Sequence, residues 1–240
     1  MGVDIDKGIH KGIPYLAYKN KNAKRLLFIQ HGIYGNKEKW MQIMGVPFAN
    51  MGYHVVATDA RMHGERKEAP FLEPNYPHGE LQIQHVIPGS ADDIEVLFKD
   101  KFPMYASTDY LGISMGGMIG YQLLTQSDIV DVFYGVITTP NLRALFEATD
   151  PQVVKDYPKE IKAIEKAIET LNPAADAAKM SFGEIHMFHG EQDDVVPINS
   201  VKQFFEAHAS WPITLETFEA DHHMTPLMYE AIKARLKSHL

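Results

Sequence analysis

Cysteine is absent from the 240 residues. Disulfides, thiolate nucleophiles, iron–sulfur centres and cysteine-ligated zinc are thereby excluded. Positive charge is scarce: 23 Lys and Arg stand against 31 Asp and Glu, a formal net charge of −8 with histidine neutral. Proteins that track a phosphate backbone offer a basic footprint, so nucleic acid is not an expected partner. Long apolar runs are missing, so no bilayer-spanning segment and no membrane partner are expected. Met1 to Lys11 carries Asp4, Asp6, Lys7 and Lys11 rather than the apolar stretch of a signal peptide, and the expected location is cytoplasmic. No internal repeat occurs. Neither a Gly-x-Gly-x-x-Gly fingerprint after a strand nor a Gly-Lys-Ser/Thr phosphate loop is found, so no cofactor is expected.

What remains is ordinary globular usage, 45% apolar and 22% charged, in a chain long enough for one substantial core. Short apolar runs at Arg25 to Gln30, Tyr53 to Thr58, Asp109 to Ile113, Val132 to Thr138, Glu184 to His189 and Ile213 to Phe218 read as strands, several of them covered on both faces. Between them, Asn36 to Met51 reads as a helix weakened by Pro47. Ser90 to Phe98 reads as a helix capped by Ser90, and Met118 to Leu124 as a buried one. Ser200 to Ala209 and Thr225 to Leu240 complete the set, with Pro226 in the last helix's first turn. Arg61 to Pro88 holds no period and reads as an excursion above the sheet edge, with a helical turn around Gly79 to Val86. The rhythm implies an α/β fold with a mostly parallel sheet flanked by helices.

Asn141 to Met180 breaks that rhythm. It reads as helical without a strand, and Ile161, Ile164, Ile168 and Leu171 form one apolar stripe. The pairs Lys162–Lys166 and Glu165–Glu169 are like-signed, so the stripe must be buried against another surface. A single domain, 1–240, with 141–180 as a small helical cap insertion is expected; an ordinary crossover with an extra helix is the alternative.

Gly112-Ile113-Ser114-Met115-Gly116 joins a predicted strand to a predicted helix. At such an elbow the glycines let strand and helix approach, and the serine rises at a helix amino end, where the dipole favours developing negative charge. A serine hydroxyl needs a base, and the base needs an orienting acid. Asp193 and Asp194 follow one later predicted strand and His222 and His223 follow the next, in the order Ser, Asp, His. His186 and His189 lie three apart on a strand, hence on opposite faces, and Asp221-His222-His223 has no third ligand spaced to join it; no metal site is expected.

In these motifs the chain resembles the α/β-hydrolases, in their small esterase, dienelactone-hydrolase or prolyl-oligopeptidase-like branch, over roughly 25–240. His31-Gly32-Ile33-Tyr34-Gly35 resembles the oxyanion loop after the third strand of that fold, and Asp59-Ala60-Arg61-Met62-His63-Gly64 the loop after the fourth. Gly112 to Gly116 resembles the nucleophile elbow, and His189-Gly190-Glu191-Gln192-Asp193 with Val196-Pro197 the acid loop. The resemblance implies Ser114 as nucleophile, Asp193 as acid and His222 as base, with Asp194 and His223 as rivals. It implies an oxyanion hole from the backbone N–H groups of Ile33 and Met115. Asp59 is expected to accept hydrogen bonds from loop N–H groups. Tyr34, His63, Leu142, Leu145 and Phe146 are pocket candidates; for His63, as for Arg61, a structural role that fixes the loop is the alternative to substrate contact. Relatives usually have glycine where Met62 stands, which implies a different loop path here. The implied activity is a serine hydrolase, a carboxylesterase cleaving a small-molecule ester through an acyl-enzyme. Amide, peptide or thioester hydrolysis on the same triad, and a non-catalytic binding protein of the same fold, are the alternatives. The oligomeric state is left open.

Overall fold

The structure is a computed structural model that describes residues 3–69, 79–105 and 107–240. Eight strands form one sheet in the order β1-β2-β4-β3-β5-β6-β7-β8. β1 (Asp4–His10) and β2 (Ile13–Lys19) make an antiparallel hairpin, and β2 pairs antiparallel with β4 (Tyr53–Thr58). From there inward, β3 (Arg25–Gln30), β5 (Ser107–Ile113), β6 (Val132–Val136), β7 (Glu184–Gly190) and β8 (Ile213–Phe218) run parallel.

The strands are apolar on both faces because each face has its own core. Leu26 and Phe28 of β3 enter one cluster, whereas Leu27 and Ile29 enter the other, as the two-residue strand period requires. Elements α1 (Lys37–Trp40), a π-helical segment (Met41–Gly45) and α2 (Val46–Met51) lie on the second face. The first face is covered by α3 (Ile83–Lys101) and α4 (Met115–Gln126). The helices α5 (Leu142–Glu147), α6 (Pro151–Asp156) and α7 (Pro158–Ile168) form the expected strandless interruption. Two later helices complete the layers: α8 (Ile198–Ala207) on the first face and α9 (Pro226–Ser238) on the second. Among the described residues no helix is long and apolar enough to cross a membrane.

Four local differences from the sequence reading have physical causes. The β1–β2 hairpin carries little sequence signal: β1 exposes Ile5 and Ile9, and β2 contains Pro14. The helix over 36–51 is broken by a π turn, because Pro47 has no N–H for the preceding turn and its ring crowds that turn's carbonyl. α3 starts at Ile83, seven residues before Ser90, and contains Pro88. Ser90 is not its cap; the hydroxyl is buried and accepts the Arg61 N–H at 2.9 Å. β6 stops at Val136 because Ile137 turns left-handed, with φ 44°. The stretch 70–78 of the expected excursion lies outside the described residues.

The stripe of the 141–180 segment is buried: Ile161, Ile164, Ile168 and Leu171 join the cluster that contains α3 and α4. Burial of each such side chain stabilises by about 1.5–3 kcal/mol. The segment's two ends close on each other, with the Ala174 N–H on Pro140 C=O at 3.0 Å and the Leu142 N–H on Asn172 Oδ1 at 3.1 Å.

Burial also favours the neutral form of several histidines, among them His31 and His54. It lowers the pKa of His31, after β3, to about 4. It does the same to about 4 for His54 in β4, whose ring packs on Phe102 and Tyr105, with the Lys19 charge adding to the effect. The unfolded chain protonates both near pH 6.5, so between about pH 6.5 and 4 it binds more protons than the folded chain, and stability falls as pH drops. Each residue contributes about 1.4 kcal/mol per pH unit across that window. Urea denaturation of wild type and His54→Phe from pH 7 to 4.5 should show the variant losing one such share of the slope. Parallel pH profiles for the two proteins would contradict it.

Candidate active site

Ser114 links β5 to α4 with φ 52° and ψ −119°. The turn is held from three sides. The Ser114 N–H donates to Val136 C=O at 2.9 Å, and its own C=O accepts the Thr138 hydroxyl at 2.8 Å and the Gly117 N–H at 2.8 Å. The flanking glycines are required by contact: a Cβ on Gly112 would lie 2.5 Å from Gly116 C=O, and one on Gly116 would lie 2.2 Å from Gln30 C=O. Ile137, next to Thr138, is itself left-handed, and its N–H donates to Phe188 C=O at 2.8 Å. Tyr34, Met62, Ser114 and Ile137, in the loops after β3, β4, β5 and β6, all have positive φ. Such residues cost about 1–3 kcal/mol each and persist where their surroundings over-determine them. Here they gather at one edge of the sheet.

Because β5, β7 and β8 are parallel, their following loops reach that same edge. Ser114 Oγ lies 2.9 Å from His222 Nε2, and His222 Nδ1 lies 2.8 and 3.0 Å from the two carboxylate oxygens of Asp193. The loops after β7 and β8 are zipped by backbone bonds, the Glu191 N–H to Phe218 C=O and the Gln192 N–H to Ala220 C=O. Gly190 permits this approach, since a Cβ there would lie 2.4 Å from Ala220 C=O. Asp193 is buried and also accepts the Val195 and Val196 N–H groups at 3.0 and 2.8 Å. Burial pushes its carboxyl up, but the His222 bond, the Val196 N–H and the positive potential of His222 and His189 together hold it below the usual carboxylate range. Asp194 is exposed. His223 is exposed as well and pairs with Asp221 rather than with the serine.

The loop after β3 lies against the serine, since a Cβ on Gly32 would sit 3.3 Å from Ser114 Cβ. Among the described residues, neither the Ile33 nor the Met115 N–H has a hydrogen-bond acceptor. His31 pins this loop: one ring nitrogen bonds Gly32 C=O at 2.7 Å and the other accepts the Ala60 N–H at 3.1 Å. Asp59 ties it to the next loop, accepting the Lys37 and Glu65 N–H groups at 2.9 and 3.0 Å.

Two positioning residues escaped the sequence reading. Lys37 is fully buried, and its ammonium contacts Asp59 and Glu65 at 2.7 Å each and Glu38 at 3.0 Å. Burial pulls its pKa down, yet these three carboxylates more than reverse that and raise it. Nothing local marks a lysine whose partner is 22 residues away. His189 Nε2 bonds Val196 C=O at 2.8 Å and so braces the loop that presents Asp193. Its place just before Gly190 in the acid-loop motif was the available signal.

The pocket candidates divide. Leu142 is buried, while Leu145 and Phe146 are part-buried against the same apolar cluster as Ile33, Met62 and Met115. Tyr34 is about half exposed in the loop after β3. For His63 the burial fits the structural alternative rather than a place on the pocket wall. It is wholly buried beneath its own loop, with Nδ1 on Arg61 C=O at 2.8 Å, and reaches no solvent-facing surface. Arg61 is engaged by Asp93 through two hydrogen bonds, at 3.0 and 2.9 Å. Met62 adopts φ 62°, a conformation that glycine takes freely, so the loop keeps a left-handed turn despite its side chain.

A hydroxyl against an imidazole nitrogen whose other nitrogen faces a buried carboxylate is an arrangement that activates the hydroxyl for nucleophilic attack.

Several solved structures share this architecture. The Thermus thermophilus protein TT1662 has 22% identity and a TM-score of 0.69, over 100% of this chain and 98% of that one. The Pyrococcus furiosus esterase Pf2001 has 16% identity and a TM-score of 0.67, over 99% and 91%. A Mycobacterium tuberculosis puromycin-hydrolyzing peptidase has 17% identity and a TM-score of 0.74, over 98% of this chain but 38% of its own. No curated protein sequence matches the chain. The sequence profile of the alpha/beta hydrolase fold matches residues 25–165, more than half of the chain, and with the sheet and elbow described above it makes this protein a member of the α/β-hydrolase family.

Proposed function

We propose that the protein is a serine hydrolase that cleaves small carboxylic esters through an acyl-enzyme. The observation that carries this reading is the continuous hydrogen-bonded line from Ser114 Oγ through His222 to the buried Asp193. As His222 Nε2 takes the hydroxyl proton, Ser114 Oγ attacks the ester carbonyl. Asp193 holds the imidazole by Nδ1–H and stabilises its charged form. The tetrahedral oxyanion is met by the Ile33 and Met115 N–H groups. Collapse expels the alkoxide, which leaves as the alcohol with the proton from His222. Water then attacks the acyl-enzyme, giving its proton to His222, and the second collapse returns that proton to Ser114 as the carboxylic acid departs.

The ester reading rests on the resemblance to the small esterases, and the Pyrococcus furiosus esterase among the similar structures supports it. The 141–180 segment acts in this reading as a cap, with Leu145 and Phe146 beside the acyl group. The puromycin-hydrolyzing neighbour keeps amide cleavage on the same residues as a second reading.

Ser114→Ala should lower kcat/KM for p-nitrophenyl acetate at least about 10³-fold while leaving the circular dichroism spectrum unchanged. Turnover within about tenfold of wild type would mean that the serine is not the nucleophile, and absence of turnover in the wild type itself would favour a binding protein. Alanine at Asp193 or His222 should be comparably damaging, whereas alanine at Asp194 or His223 should leave turnover near wild type. Loss at His223 with retention at His222 would reassign the base. Phe146→Ala should change the ranking of acetate, butyrate and octanoate esters. An equal change for all three, or none, would remove Phe146 from the acyl site.

A further inference from the structure

Strand β7 carries chemistry at both of its ends. Its carboxyl end leads to Asp193; its amino end bears Glu184 and, two residues on and therefore on the same face, His186. His239, which ends α9, stands beside them, its ring centroid 5.6 Å from that of His186. One ligand-type atom from each of the three lies within 4.8 Å of the other two. Glu184 Oε2 is 3.3 Å from His186 Nε2 and 3.9 Å from His239 Nε2. Ligands about 2.0–2.1 Å from a tetrahedral ion are separated by roughly 3.3 Å, so small rotations of the two outer side chains close the set.

A second observation points to a ligand. His186 is 98% shielded (relative exposure 2%), yet its Nε2 has no hydrogen-bond partner, the nearby Glu184 oxygen being out of line for one. Its Nδ1 is engaged by the Thr214 hydroxyl at 2.9 Å. With Nδ1–H donating there, the Nε2 lone pair points into the cluster, which is how an outer partner fixes a histidine for metal ligation. The carboxyl end of α9 adds negative potential at the same place. Arg235 opposes a cation, but its guanidinium is held by Glu216 at 3.0 and 3.1 Å.

We propose that Glu184, His186 and His239 bind a divalent d-block cation of the zinc type, with water in the fourth position. Two imidazoles and a carboxylate are a donor set that zinc accepts. The site is separated from Ser114 by the length of β7, about 20 Å, and is independent of the ester chemistry. The ion would clamp the last turn of α9 to the start of β7 and raise resistance to unfolding.

The test uses cobalt(II) chloride as a spectroscopic probe and zinc chloride for thermal stability, on wild type, His239→Ala, Glu184→Gln and the double variant His222→Ala/His223→Ala. His239 and Glu184 are chosen because neither side chain fills the core. Wild type and the double variant should each bind one cobalt ion, with the intense visible absorption of a four-coordinate site, and zinc should raise their Tm. His239→Ala should lose both signals and Glu184→Gln should weaken them, while metal-free ester turnover stays at the wild-type rate in both. The proposal is overturned if wild type binds no cobalt at large molar excess. It is equally overturned if His239→Ala retains the absorption, or if only the double variant loses it.

Discussion

Everything at the carboxyl edge of the sheet depends on the left-handed turn at Ser114. It is tolerable only because Gly112 and Gly116 let the helix start against the strand, with Gly116 pressed on the backbone of β3. The Val136 carbonyl and the Thr138 hydroxyl then lock it. A second strained residue, Ile137, lies between the two groups of that lock. Strain in one loop therefore adjoins strain in its neighbour, and the parallel sheet supplies the rigid frame that over-determines both.

The remaining parts of the candidate site are positioned by buried polar groups. Asp59, Lys37 and His31 fix the loop after β3, and His189 with two backbone N–H groups fixes Asp193. Buried charges of this kind contribute little net stability when paired, but removal of one partner leaves an uncompensated charge that costs about 3–5 kcal/mol. Their value lies in geometry: they tie Ser114's neighbouring loops and Asp193 to the sheet edge.

The sequence was most legible where apolar runs are short and bounded. The parallel strands appear at or within two residues of their expected limits, because burial on both faces leaves little doubt about period or length. The elbow was legible because glycine spacing encodes a contact. Elements whose logic is tertiary were not legible. Ser90 looks like a helix cap but serves a distant loop; Pro88 looks like a barrier but sits inside a helix held by its apolar face. The motif left His63 open between pocket and loop support, and only its burial decides for the second. The convergence of Glu184 and His186 with His239 spans more than fifty residues of chain, and no local pattern announces it.

The central claim is that Ser114 is made nucleophilic by His222 and Asp193, and its most direct measurement is covalent. A small fluorophosphonate should add once to the native protein, and peptide mass mapping should place the phosphonyl group on Ser114. Labelling should disappear in urea-unfolded protein and slow by orders of magnitude in His222→Ala. A label on another residue, or equal labelling of the folded and unfolded chains, would contradict the account.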